Sequence, residues 1–280
     1  MNARSFSDRG ETMAVFGIDL PARVGSAALL ATLALAAAWF GGWPAAAVIA
    51  TVAAVVHVEW ARLTEKRWRS SAAFTAAIVA AIGLAAAGLV WAGCGLVVAA
   101  VLAGALTGRN VWRPLGIAYA AIFGFGLLAL RLAPESGFAA IVFLFAVVWA
   151  TDTGAFFAGR LIGGPRLWPS VSPRKTWSGT VGGLVAGVAV GLAAAGLLAL
   201  PLGWPLVIVA AALSSASQVG DLFESWIKRR FGAKDSGRIV PGHGGLMDRV
   251  DGLTLAAGLA AIVGFVNGGP AGLAAGLVQW

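Results

Sequence analysis

Six stretches of this chain carry no Asp, Glu, Lys or Arg: 24–58, 70–108, 114–130, 136–151, 176–220 and 252–280. A helix rises 1.5 Å per residue, so about 17–25 apolar residues cross the hydrocarbon core of a bilayer. The first, second and fifth runs are too long for one crossing, and each predicts a hairpin of two helices. Turn and interfacial residues mark the breaks: Gly41-Gly42-Trp43-Pro44, Trp91-Ala92-Gly93 and Pro201-Leu202-Gly203-Trp204-Pro205. With three single crossings added, the expected fold is all-α, a polytopic integral membrane protein of about nine transmembrane helices.

The residues are 59% hydrophobic and 11% charged, whereas soluble domains carry roughly a quarter charged residues. Apolar content, aperiodic glycine and the single Cys94 exclude disorder, collagen and a disulfide scaffold. Cys94 lies in an apolar run and reads as packing. A net charge of +8 would point a soluble protein toward nucleic acid. Here the positive-inside rule accounts for it: with the N-terminus inside, nine crossings put 19 of the 20 Lys and Arg in the cytoplasm and leave Arg131 outside. No nucleic-acid partner is expected.

The expected organisation is a cytoplasmic segment over 1–23, a transmembrane scaffold of about five helices over 24–132, and a catalytic transmembrane region over 133–280. That region carries two cytoplasmic loops, 152–179 and 221–251. The segment before Arg23 mixes charge signs and lacks an obvious cleavage site, so the first span is read as retained. Gly183, Gly187 and Gly191 recur every four residues and predict a helix face for close packing. The tail after Gly268-Gly269-Pro270 is too short to cross again.

The chemistry should lie in the two charged loops. Asp152 stands at the end of an apolar run, where an ionisable side chain is a functional candidate. Asp221 and Glu224 are three apart and face one side of a helix end; Asp248 and Asp251 repeat that spacing. Carboxylates among so many cations read as oxygen ligands for Mg²⁺, with Lys175, Lys228, Arg229, Lys234 and Arg249 serving phosphate groups. A structural ion-pair cluster is the other reading. Ser172 and Thr176 lead into a helix whose N-terminal amides would add an anion site. His243 sits among glycines where backbone can approach a ligand. It has no His or Cys companions at zinc spacing, since His57 is far away in the second helix, so zinc is rejected. Together these features predict phosphoryl or nucleotidyl transfer on a lipid.

The stretch Ser225-Trp226-Ile227-Lys228-Arg229, Lys234-Asp235-Ser236-Gly237 and Pro241-Gly242-His243-Gly244-Gly245-Leu246-Met247-Asp248-Arg249-Val250-Asp251 closely resembles the signature of phosphatidate cytidylyltransferases, or CDP-diacylglycerol synthases. Ser172-Pro173-Arg174-Lys175-Thr176-Trp177 and Asp152-Thr153-Gly154-Ala155 resemble the family too, in the right order. Ser178 and Pro165-Arg166 depart from its usual pattern, which leaves the role of position 178 open. The resemblance implies the reaction CTP + phosphatidic acid → CDP-diacylglycerol + pyrophosphate at the cytoplasmic face of a bacterial cytoplasmic (inner) membrane. It suggests a homodimer in the lipid bilayer. It implies Mg²⁺ on Asp221 and Asp248, with Asp152, Glu224 and Asp251 as second candidates, and a second cation would fit two-metal logic. Lys175, Lys228 and Arg249 would meet CTP phosphates, and Arg229 and Lys234 the lipid phosphate. A lateral opening for the lipid is expected near the seventh and eighth helices.

Two rivals are weaker. Asp248-x-x-Asp251-Gly252 imitates the start of the CDP-alcohol phosphatidyltransferase motif, but the continuation through Leu253-Thr254-Leu255 departs from it. An anion transporter would carry its charges near the bilayer midplane, and here they cluster toward one face.

Overall fold

The computed structural model describes residues 25–65, 68–107, 110–237, 239, 244–270 and 272–280. Ten α-helices follow one another: α1 Gly25–Phe40, α2 Gly42–Thr64, α3 Ala72–Ala86, α4 Val90–Thr107, α5 Trp112–Arg131, α6 Gly137–Leu161, α7 Trp177–Leu197, α8 Trp204–Arg230, α9 Met247–Gly268 and the short α10 Leu273–Val278. Eight of them, α2 to α9, are long and apolar enough to cross a membrane, α3 being counted from Arg69 in its preceding 3₁₀ turn. The chain is an integral membrane protein. Among the described residues α1 is shorter than a full crossing, so eight spans are established where the sequence predicts nine.

The Gly41 and 201–205 breaks fall where expected. The break in 70–108 falls earlier, at Ala87–Leu89, and Trp91 and Gly93 lie inside α4. Gly88 is the reason: at φ +87° it takes the left-handed conformation that ends α3, and the amides of Gly88 and Leu89 close back on Ala85 and Leu84.

Two larger differences concern the charged segments. Asp152 does not close its helix, because α6 runs on to Leu161, and α8 likewise passes through Asp221 and Glu224 to Arg230. A charge marks where the apolar run stops; it does not interrupt the backbone hydrogen-bond ladder. Much of each predicted loop is therefore helix. The remainder of the first contains a short antiparallel hairpin, β1 Arg166–Trp168 with β2 Ser172–Thr176, a β-element within an otherwise helical fold.

Helices gain no hydrophobic drive from meeting each other inside lipid, so close backbone approach must hold them. The α6–α7 pair shows this. A Cβ at Gly187 would stand 2.3 Å from Thr151 Oγ1, and one at Gly183 would stand 2.8 Å from the Thr151 carbonyl. Thr151 itself bonds Ser214 of α8 at 2.8 Å, fastening three helices. α10 folds back on α9 and buries Ala274, Leu277 and Val278. Arg131 closes the far end of the bundle by donating to the Ala38 carbonyl at 2.6 Å and the Trp39 carbonyl at 3.1 Å.

Candidate active site

The C-terminal halves of α6 and α8, the N-terminal halves of α7 and α9 and the β-hairpin line a cavity of about 900 Å³. Antiparallel helices bring the C-terminal parts of α6 and α8 beside the N-terminal parts of α7 and α9. Residues far apart in sequence thus share one end of the bundle. Asp152, Lys175, Thr176, Asp221, Lys228, Asp248, Arg249 and Asp251 all line this cavity.

One part of the site is a closed network. Lys228 pairs with Glu224 one helical turn earlier on α8 and with Asp248 Oδ1 at 2.8 Å. The Asp248 carboxylate also accepts the Ser236 amide at 3.1 Å and the Gly245 amide at 2.8 Å. Glu224 is fully buried, and although Lys228 lies against it, neither of its oxygens accepts a directed hydrogen bond. The other part is open. Lys175 Nζ meets Asp221 Oδ2 at 2.5 Å, while Asp221 repels Asp152 and Asp251 across the cavity wall. Asp152, Asp221 and Asp251 thus face the cavity, and Lys175 is paired with Asp221.

This donor set fits Mg²⁺. Among the described residues no three His, Cys, Asp or Glu side chains form a ready cage. Mg²⁺ needs none, because it is commonly held by one or two carboxylates with water and substrate phosphates completing its shell. The mutual repulsion of Asp152, Asp221 and Asp251 favours such a cation.

Other expected residues sit apart. Ser172, at the start of β2, and exposed Lys234 do not line the cavity. Arg229 turns away, donating to the carbonyls of Val171 at 3.3 Å and Ala233 at 3.0 Å, which ties α8 to the hairpin. Thr176 caps α7, its hydroxyl accepting the Gly179 amide at 3.1 Å, and the Trp177 amide bonds the Pro165 carbonyl. The expected anion site there is partly filled by the chain itself. Ser178 gains a place: its hydroxyl donates to the Gly163 carbonyl, pinning the loop before β1. His243 lies outside the described residues.

Sequence reasoning passed over Glu59. This α2 carboxylate is wholly buried and accepts the amides of Leu246 at 3.0 Å and Met247 at 2.7 Å, along with the Ser236 hydroxyl at 3.2 Å. It satisfies the N-terminal amides of α9 from another helix. Glu59 and Asp248 therefore hold the same turn, both of them also bonding Ser236. A signal existed, since Glu59 directly ends the first uncharged run, but only the fold shows what it faces. Arg160, Arg166, Arg174 and Gln218 also line the cavity and were not singled out. Behind the site, Phe223 on α8 packs on Trp60 and Tyr119 at 6.2 and 6.0 Å between ring centres, seating the Asp221–Glu224 turn against α2 and α5.

Comparison with known proteins identifies the family. Residues 21–266 match the model of a family described as the cytidylyltransferase family. A phosphatidate cytidylyltransferase of Brucella suis is 42% identical over 262 residues, covering 90% of this chain and 96% of its own. That of Brucella abortus is equally similar. A phosphatidate cytidylyltransferase of Staphylococcus saprophyticus is 47% identical over 138 residues, covering 49% of this chain and 52% of its own. An integral membrane chain with an oxygen-rich, cation-lined cavity and this extent of similarity belongs to the cytidylyltransferase family.

Proposed function

We propose that this chain is a phosphatidate cytidylyltransferase: it transfers CMP from CTP to phosphatidic acid, giving CDP-diacylglycerol and pyrophosphate. The observation that carries the reading is the single cavity in which Asp152, Asp221 and Asp251 face Lys175 and Arg249 at one end of a membrane bundle. A phosphate monoester oxygen of the lipid attacks the α-phosphorus of CTP in line, the bond to the β-phosphate oxygen breaks, and pyrophosphate leaves. Such a transfer asks the protein mainly for positioning and charge neutralisation.

Lys175, with Arg160, Arg166 and Arg174 on the same cavity, would hold the triphosphate and neutralise the leaving pyrophosphate. Asp221 would hold Mg²⁺, with Asp152, Asp248 and Asp251 on the same wall as further oxygen donors, whereas Glu224, first expected among them, is buried against Lys228 and off the cavity wall. Mg²⁺ would supply charge neutralisation at the phosphates, and a second cation is compatible with the same wall. Lys228 fixes Glu224 and Asp248 in place. We assign the cavity to the cytoplasmic face of a bacterial inner membrane, where CTP is available and nearly all Lys and Arg belong. We take the enzyme to be a homodimer; one chain per particle in a detergent mass measurement would remove that part.

The test is purified protein in detergent with phosphatidic acid, Mg²⁺ and labelled CTP. Lipid-soluble label and pyrophosphate are expected, and their absence with both CTP and dCTP would end the proposal. For sidedness, Lys234→Cys in a Cys94→Ala background should resist a membrane-impermeant thiol reagent in intact cells. Labelling from outside would reverse the orientation.

A further inference from the structure

A second cavity, of about 370 Å³, lies between α1, α2, α5, α6 and α9. Its walls are apolar, with Ala34, Val52, Leu127, Phe145 and Leu253 contributed by the five helices in turn. Among its lining residues only Arg131 and Arg249 carry charge. They stand at opposite ends. Arg131 reaches the α1–α2 junction, while Arg249 lies in the first turn of α9, which Glu59 caps from the opposite end of α2. Arg249 also lines the polar cavity. The two spaces therefore share one lining residue, Arg249, with an apolar groove on one side and the charged chamber on the other.

That junction matches an amphiphile with an anionic head and a hydrocarbon tail. We propose that the groove holds an acyl chain of the phosphatidate substrate, with Arg249 at the lipid phosphate; the inference rests on the proposed reaction. Arg229 and Lys234, the residues first expected at this phosphate, are respectively turned toward backbone carbonyls and placed off the cavity wall. The groove leaves the chamber on the side of α1, α6 and α9, away from α7 and α8, where the sequence places a lateral opening. Moving a chain from bilayer to groove exchanges one apolar surrounding for another, so little affinity is gained. What the groove supplies is orientation: a seated chain fixes the direction from which the phosphate enters the chamber, and orientation acts on the reacting complex.

The test compares phosphatidates of different chain length in detergent with Ala34→Phe and Val52→Phe, which narrow the groove far from Arg249. Expected is about a tenfold fall in kcat/KM for dioleoyl phosphatidate with a change under twofold for dihexanoyl phosphatidate, whose short chains do not reach these positions. Equal losses for both lipids, or no loss for either, would overturn the groove. A second measurement does not need turnover. A phosphatidate carrying a diazirine on one acyl chain should label the groove helices, and dioleoyl phosphatidate should compete where dioleoyl phosphatidylcholine does not. Equal competition by the two lipids would make the groove a place for bulk lipid and overturn the assignment. If wild-type protein turns over neither phosphatidate, the reaction itself is wrong, and the labelling result still decides the groove.

Discussion

Asp248 and Asp251 stand one turn apart on α9, yet they belong to different surroundings. Asp248 is held by Lys228 and by the amides of Ser236 and Gly245. Asp251 faces the cavity with Asp152 and Asp221, and its side chain accepts a hydrogen bond from the next amide, Gly252, at 2.8 Å. The first set is a frame in which one lysine holds two carboxylates and backbone amides complete the hold on Asp248. The second is a wall of like charge, with Lys175 paired to Asp221, on which the proposed Mg²⁺ would sit. The difference teaches that the same residue type, at the same spacing, can be tied into the protein's own bonds in one place and left facing a cavity in the next.

Substitutions can break this contrast. The largest effect is expected for Asp248→Asn, which weakens the frame and the cavity rim together. Turnover should fall by about 10²–10³-fold or more. Thermal stability should fall too, because hydrogen bonds to a charged group are each worth about 1.5–3 kcal/mol. An unchanged melting temperature in a detergent thermal-shift assay would show that Asp248 is not part of a frame. Asp221→Asn should lose activity by a similar factor, about 10²–10³-fold, while melting at the wild-type temperature or slightly above it, since like-charge repulsion is relieved. Stability lost along with activity would merge the two sets into one.

Glu59→Gln tests the frame from outside the cavity. It should lower turnover by about 10–100-fold, the range for groups that orient other ligands, with the KM for CTP nearly unchanged. A KM rise without a fall in kcat would place Glu59 in substrate binding. The smallest effect is expected for Thr176→Ala, which removes the α7 cap at a cost of about 1 kcal/mol. Activity should survive with a modest drop in melting temperature. A loss as large as that of Asp221→Asn would mean that the hydroxyl contacts substrate.

The helical hairpin at 176–220, the break at Gly41, the packing face of α7 and several charged residues of the cavity, Asp152, Asp221 and Asp248 among them, were readable in the sequence, while Arg160, Arg166 and Arg174 were not. These features repeat with the period of one helix or depend on a run of missing charges, both local properties of the chain. The extension of α6 and α8 beyond Asp152 and Asp221 was not readable, because charge reports where water begins and not where a hydrogen-bond ladder stops. Arg229 and Lys228 look alike in sequence and are neighbours on α8. A rotation of one residue around the helix turns one toward carbonyls at the hairpin and the other between two carboxylates.

The sequence by itself determined that this chain is a membrane bundle with its charge gathered into two segments, and the signature in those segments pointed to the family. Uncharged length and residue identity are enough for that, since a bilayer tolerates few unpaired charges. Only the tertiary structure decided which carboxylates are consumed by internal pairing and which remain facing the cavity. It also decided that Glu59, 189 positions before Asp248, grips the same turn, and that the apolar groove meets the polar chamber at Arg249. Such pairings depend on distances between helices remote in the chain, and no local pattern encodes them.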